Sequence, residues 1–178
     1  MKKIVVLGPE CSGKTTLCQQ LAEHYGTVWC PEFAREYLSS HGKNYTYDDL
    51  LNIAIGQVEL EDVMEVEAQN GIYFIDSDMF TMQLWCEVDY NDCHTFILKQ
   101  IASRKYDHHL LLAPDIPWIH HPLRKYPDIE IREKHFKLYK QMLGSTGGDW
   151  TEVSGTRVNR LLMALHAIDF KNVELKIA

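Results

Sequence analysis

No run of apolar residues reaches the ~18 that a bilayer span requires, and the opening MKKIVVLG turns into a glycine loop before any signal-peptide cleavage pattern appears. A membrane partner is therefore not expected, and the cytoplasm is the expected location. The five cysteines, Cys11, Cys18, Cys30, Cys86 and Cys93, are an odd number without a C-x-x-C pair, so they read as reduced thiols rather than a disulfide framework. Positive charge is also in deficit: 18 Lys and Arg against 25 Asp and Glu leave a net charge of −7. A sequence-independent grip on nucleic acid neutralises many phosphates, so this balance excludes it as a main occupation and leaves room for a small anion held by a local cluster. Internal repeats and low-complexity tracts are absent. The one linker-like cluster, Gly144-Ser-Thr-Gly-Gly148, suits a helix-to-strand turn better than a domain boundary. At 178 residues with 46% hydrophobic content, the chain is expected to form one domain, residues 1–178, with a core that needs no staple. Oligomeric state leaves no mark.

What is present is an alternation. Short apolar runs, KIVVL (3–7), TVWC (27–30), IYFID (72–76), HLLLA (109–113) and WTEV (150–153), are separated by longer helical patterns. The runs are almost continuously apolar rather than alternating, which implies burial on both faces and a parallel sheet with helices on each side. Helices are expected over 15–25, 46–70 (long, with a break), 78–87, 94–104, 129–143 and 156–168. The segment 117–143 changes texture: it is dense in charge, histidine and aromatics, and Pro122 and Pro127 keep its first half out of a regular helix.

The stretch Gly8-Pro-Glu-Cys-Ser-Gly-Lys-Thr15 meets the pattern G-x-x-x-x-G-K-[ST], with an apolar strand before it and an amphipathic helix after it. Gly8 and Gly13 let successive backbone N–H groups turn inward around a phosphate, and the helix N-terminus adds partial positive charge. Lys14 can reach the β/γ oxygens, and the Thr15 hydroxyl is placed to ligate Mg²⁺. The intervening Glu10, Cys11 and Ser12 and the adjoining Thr16 complete the expected ATP site, Cys11 as a small loop filler. The fold class that follows is α/β, a three-layer P-loop nucleoside triphosphate hydrolase fold. It has a five-stranded parallel sheet, helices on both faces, and a lid after strand four at about 117–143.

A phosphoryl transfer needs a second acid for magnesium and a group that deprotonates the acceptor, and ligands of such sheets bind at the C-terminal strand ends. Asp76 fits the magnesium acid. Asp78 is a candidate to face the acceptor, or else a helix N-cap. Glu32 and Arg35 sit about one turn apart if a helix has begun. They can serve as base and phosphate anchor, or form a plain surface ion pair. In the lid, Arg124 and Arg132 could arrive on closure to stabilise transferring charge, unless the segment is a solvated charged helix. Adjacent His120 and His121 rarely aim at one metal, and no third ligand stands out. Trp29, Phe33, Tyr37, Phe80, Trp85, Tyr90 and Trp118 include rings that flank the acids. Core packing accounts for most aromatics, yet a flat, cationic ring stacked among them would gain cation–π attraction.

GPECSGKTTL, PEFAREYL after strand two, FIDSDMFTMQLWCEVDY after strand three and DIPWIHHPLR after strand four resemble the ribosylnicotinamide kinase domain of the NadR family, over nearly the whole chain. The resemblance implies ATP-dependent phosphorylation of the 5′-hydroxyl of N-ribosylnicotinamide to nicotinamide mononucleotide, with Mg²⁺. It assigns Lys14, Thr15 and Asp76 to ATP and metal, Glu32, Arg35 and Asp78 to the acceptor, and Trp118 to Arg124 to the lid, with Trp118 on the acceptor side. NadR proteins also carry an adenylyltransferase domain and often a DNA-binding domain upstream. This sequence opens on the P-loop strand, so neither activity is expected. Two alternatives stay open: a kinase of similar build acting on another nucleoside, nucleotide or small metabolite, and a nucleotide-sensing regulatory module.

Overall fold

The computed structural model describes residues 1–174. Five parallel strands, β1 (Lys2–Leu7), β2 (Trp29–Cys30), β3 (Ile72–Asp76), β4 (His108–Leu112) and β5 (Trp150–Val153), lie in the order β2-β3-β1-β4-β5. Among the described residues six helices lie between them, α1 (Lys14–Tyr25), α2 (Phe33–His41), α3 (Tyr47–Val66), α4 (Met79–Tyr90), α5 (Thr95–Ser103) and α6 (Ile129–Thr146), and α7 (Arg157–Glu174) follows β5. This is the expected P-loop architecture. None of these helices is long and apolar enough to cross a membrane.

The sheet is buried on both faces because β1 sends its residues to two cores. Ile4 and Val6 pack with Leu17 and Leu21 of α1 and Ala164 and Ile168 of α7, whereas Val5 and Leu7 pack with Phe80 and Leu84 of α4 and Tyr139 and Leu143 of α6. Burying each such aliphatic side chain contributes about 1.5–3 kcal/mol, which explains why the central strands tolerate no polar alternation. A third cluster, built from Ala34, Leu38, Ile53, Ala54, Met79 and Met82, binds α2, α3 and α4 into a flank beside the sheet.

Two helical expectations change. The long helix does not break: Thr46 and Asp49 form a capping box at its start, and α3 then runs through Gly56 as one piece, where the Phe33 ring fills the space that a Cβ would occupy. A separate α2 begins immediately after Glu32, so that residue is its N-cap. Strand β2 is shorter than expected: the Thr27 backbone N–H donates to the Ala22 carbonyl at 3.0 Å instead of joining the ladder, while its hydroxyl donates to the Ile72 carbonyl and accepts from the Gln69 N–H.

The order places β1 at the centre with β3 and β4 on either side. The loop after β1 therefore lies between the C-terminal ends of both neighbours, the crevice where the chain switches sides of the sheet. Behind that crevice lies a buried polar chain. Tyr106 donates to Glu61 at 2.9 Å and Arg104 pairs with Glu61 at 3.1 Å. Burial pushes the Glu61 carboxyl up to about 7 from an ordinary 4.5, with Arg104 and Tyr106 pulling the other way. Because the folded value exceeds the unfolded one, this contribution is fully present below about 4.5 and lost as pH rises through about 7. Glu61→Gln should therefore gain melting temperature relative to the natural chain as pH rises from about 5 to about 8. A difference that stays constant across that window would exclude Glu61 as its source.

Candidate active site

The loop from Gly8 to Gly13 closes tightly against the end of β4. A Cβ on Gly8, whose φ is +149°, would stand 2.7 Å from the Leu112 carbonyl oxygen and 2.8 Å from Ser12 Oγ, so only glycine lets the loop approach there. Cys11 takes the left-handed region at φ 58° and Gly13 at φ 88°, the alternation that turns backbone donors toward one side. Lys14, buried, folds back with Nζ donating to the Gly8 carbonyl at 3.0 Å and the Pro9 carbonyl at 3.4 Å. Those are weak neutral partners for an ammonium that a phosphate would engage more strongly.

Thr15 and Asp76 meet as expected. The Thr15 hydroxyl donates to Asp76 Oδ2 at 2.5 Å, while Asp76 Oδ1 is buried with no hydrogen-bond partner. Burial and the facing Glu32 carboxylate raise the Asp76 carboxyl above its usual range, and Lys14 and the Thr15 hydroxyl act against them. A buried carboxylate oxygen without a donor, beside a hydroxyl at the phosphate loop, fits a hard cation. Among the described residues no cluster of three or more His, Cys, Asp or Glu is arranged for a metal, so any cation here would take its remaining ligands from phosphate and water.

Beside the loop opens a cavity of about 930 Å³, its solvent-filled mouth included. Gly8, Glu10, Cys11, Lys14, Glu32, Arg35 and Arg124 line it. Arg35 Nε donates to Glu32 Oε2 at 3.1 Å, on the first turn of α2. Burial opposes the Arg35 charge, but Glu32 and Asp76 outweigh it and the guanidinium is held more firmly protonated. The Trp85 indole joins the lining, and Tyr45 is stacked on that indole at 5.4 Å with 6° between planes.

The segment after β4 crosses over the loop. Glu10 accepts from the backbone N–H groups of Lys125 and Tyr126, each at 2.9 Å, and Ile119 N–H donates to Cys11 Sγ at 3.3 Å. Burial raises the Glu10 carboxyl while those two amides lower it. On the far side Lys125 pairs with Asp89 at 3.3 Å, Tyr126 donates to Asp89 at 2.9 Å, and the Lys125 ammonium lies 3.6 Å from the Tyr45 ring centre. Glu10, expected at the ATP, thus has its carboxylate committed to the lid backbone.

Two residues expected at the acceptor lie elsewhere. Asp78 caps α4, accepting from Phe80 N–H at 2.9 Å, and its other oxygen pairs with His109 at 3.0 Å, so a buried carboxylate that is already satisfied stands behind the cavity. Trp118 does not line the cavity either. Its indole carries the guanidinium of Arg124 at 5.6 Å and that of Arg132 at 5.4 Å, which makes it a platform for the lid arginines. Arg124 spends one donor on the Ile119 carbonyl. Arg132 is buried with Nε and Nη1 lacking a hydrogen-bond partner, and it forms no ion pair among the described residues.

Residues 3–160 match the AAA_28 family, described as an AAA domain. The chain belongs to that family. It is also similar to the trifunctional NAD biosynthesis/regulator protein NadR of Salmonella typhimurium, at 30% identity over 157 residues that cover 86% of this chain and 38% of that relative. The chain thus spans well under half the length of the relative it matches. A NadR protein in complex with NR shares its fold at a TM-score of 0.77 and 22% identity, over 94% of this chain and 50% of that one. Deoxyadenosine kinase from M. mycoides with bound dATP does so at 0.61 and 14%, over 95% and 100%.

In this AAA_28 domain several cavity residues escape a linear reading. Thr81, Leu84, His135 and Tyr139 line the cavity from α4 and α6, with Tyr139 donating to Thr81 at 3.3 Å. The only sequence signal was a polar residue inside an apolar helical stripe, as in MFTMQLWC. Arg160, in α7, was missed altogether. Its buried guanidinium donates to the Ser12 carbonyl at 3.0 Å, 148 positions earlier in the chain. Gly8→Ala should abolish measurable binding of Mg-ADP, because the methyl group must displace the Leu112 carbonyl or the loop. Wild-type affinity in that variant, read by calorimetry, would contradict the close approach.

Proposed function

We propose that the chain is a magnesium-dependent kinase that moves the γ-phosphoryl group of ATP to the 5′-hydroxyl of N-ribosylnicotinamide, giving nicotinamide mononucleotide in the cytoplasm. The observation that carries this reading is the opening of Lys14, Glu32 and Arg35 into one cavity walled by Trp85 and covered by the lid. Phosphate grip, base, guanidinium and flat apolar wall are the four elements that phosphoryl transfer to a ring-bearing alcohol requires. The likeness to a NAD biosynthesis protein and to a fold crystallised with NR supports the choice of acceptor.

In this mechanism the loop amides and Lys14 hold the triphosphate tail, Lys14 exchanging two carbonyl partners for phosphate oxygens. Thr15 and Asp76 would hold Mg²⁺, which when bound supplies neutralisation of phosphate charge. Glu32 takes the hydroxyl proton. Arg35, paired with Glu32, orients that carboxylate and steadies the incoming phosphoryl group. Arg124 and Arg132, the latter with Nε and Nη1 lacking hydrogen-bond partners, offer charge to the spread transition-state oxygens from the lid side, and the lid excludes the water that would otherwise accept the phosphoryl group. A nicotinamide ring is planar and cationic, so the exposed face of Trp85, backed by Tyr45, suits it. Asp78, through its cap on α4, would hold Thr81 and Trp85 in place from behind.

The fold likeness to a deoxyadenosine kinase keeps a second acceptor class in view, a nucleoside with a neutral base. Purified protein with Mg-ATP should phosphorylate N-ribosylnicotinamide in preference to adenosine, deoxyadenosine or thymidine, as followed by ADP release. Preference for a neutral nucleoside would reassign the acceptor and leave the kinase intact. Glu32→Gln should lower turnover by about 100-fold or more, with Mg-ADP affinity changed by less than about three-fold. Undiminished turnover in that variant would remove Glu32 as the base.

A further inference from the structure

Arg160 lies in the first turn of α7 and does not line the cavity, yet it ties together three segments that meet behind the phosphate loop. Nη1 donates to the Ser12 carbonyl at 3.0 Å, Nη2 to the Ala113 carbonyl at 3.1 Å and to Asp115, and Nε to the Gly155 carbonyl at 2.9 Å. Asp115 also accepts from Gly155 N–H at 2.6 Å, so the end of β4 and the turn before α7 are locked to each other around the guanidinium. The residue is 4% exposed, and breaking so well satisfied a buried cation is costly. Nothing in the transfer mechanism above uses it.

The Ser12 carbonyl and the Gly13 N–H belong to one peptide group. In a planar trans peptide the C=O and N–H bonds point in opposite directions, so whatever fixes the carbonyl also fixes the N–H. A cation holding the carbonyl on the α7 side turns the Gly13 N–H away from α7, at the N-terminus of α1, where it is one of the donors that no helical carbonyl engages. A charge-assisted bond to the carbonyl also draws electron density through the amide and strengthens the N–H as a donor. The effect needs a planar, forked, permanently charged group, since one guanidinium satisfies carbonyls from three segments at once.

We infer that Arg160 is a positioning residue of the phosphate loop: it holds and polarises the Ser12–Gly13 peptide so that the Gly13 N–H donates to the nucleotide's phosphate. The residue acts through the loop and does not touch the ligand. The inference rests on the loop being the site of nucleotide phosphates and is independent of which alcohol is phosphorylated.

The test compares wild type, Arg160→Met and Arg160→Lys by Mg-ADP calorimetry, by separate KM values for Mg-ATP and acceptor, and by amide spectra of protein labelled with ¹⁵N-glycine. With 10 glycines in the chain, the Gly13 resonance is assignable by comparison with a Gly13→Ala spectrum. Arg160→Met should weaken Mg-ADP binding and raise the KM for Mg-ATP by about ten-fold or more, while the acceptor KM stays within about two-fold. The Gly13 amide proton of the Mg-ADP complex should move upfield, and Arg160→Lys, whose single ammonium cannot span three segments, should recover only part of the affinity. A variant that loses melting temperature or active fraction but keeps nucleotide affinity and an unmoved Gly13 resonance would overturn the inference and leave Arg160 a structural clasp. Should Arg160→Met not fold, Arg160→Lys decides alone, with wild-type affinity and an unmoved Gly13 resonance overturning the inference. Failure of the wild-type protein to bind Mg-ADP would instead remove the phosphate-site reading on which it stands.

Discussion

A tight turn of backbone must fit between the central strand and its helix while the end of β4 presses against it from the side. The space at Gly8 is the narrowest part of this arrangement, since the Leu112 carbonyl occupies the position a side chain would need. That closeness does more than save volume. It brings the C-terminal ends of β3 and β4 to the same loop, so Asp76 arrives on one side and the lid segment departs on the other. A sheet in a different order would scatter the same residues.

Charge is distributed around that turn in an unusual way for a protein with a net charge of −7. Lys14 rests on carbonyls, Arg132 is buried with open donors, and Asp76 keeps one oxygen unpartnered. Each is a group whose desolvation has been incurred without full compensation inside the chain, a pattern that suits the binding of an anion and its cation. By contrast, Asp78 with His109 and Arg160 with Asp115 are satisfied internally and brace the elements that carry the open groups. The difference between open and satisfied charge separates the groups that would meet a ligand from those that hold them in place.

The lid adds a second constraint. Its backbone is fastened to Glu10 of the loop, and its side chains reach Asp89 at the far end of α4, so it spans the cavity from the phosphate side to the aromatic side. Trp118 then gathers both lid arginines on one indole. The segment that is fastened over the loop is thus also the one that carries the two arginines.

The linear chain was sufficient for the strands, the phosphate loop and the Thr15–Asp76 pair, because these depend on local pattern. Continuous apolar runs mark buried parallel strands, glycines mark left-handed backbone, and an acid at a strand end has only the crevice to face. The meeting of Glu32 and Arg35 was legible too, because they share one turn. Tertiary structure alone decided the surroundings of Asp78 and Trp118, since an aspartate two residues past a strand can cap a helix or meet a ligand with equal local chemistry, and the pairing of Asp78 with His109 comes from β4, on the other side of β1. The cavity wall from α4 and α6, and the reach of Arg160 to a carbonyl 148 residues away, were likewise invisible, because contacts between distant segments depend on packing that no local spacing encodes.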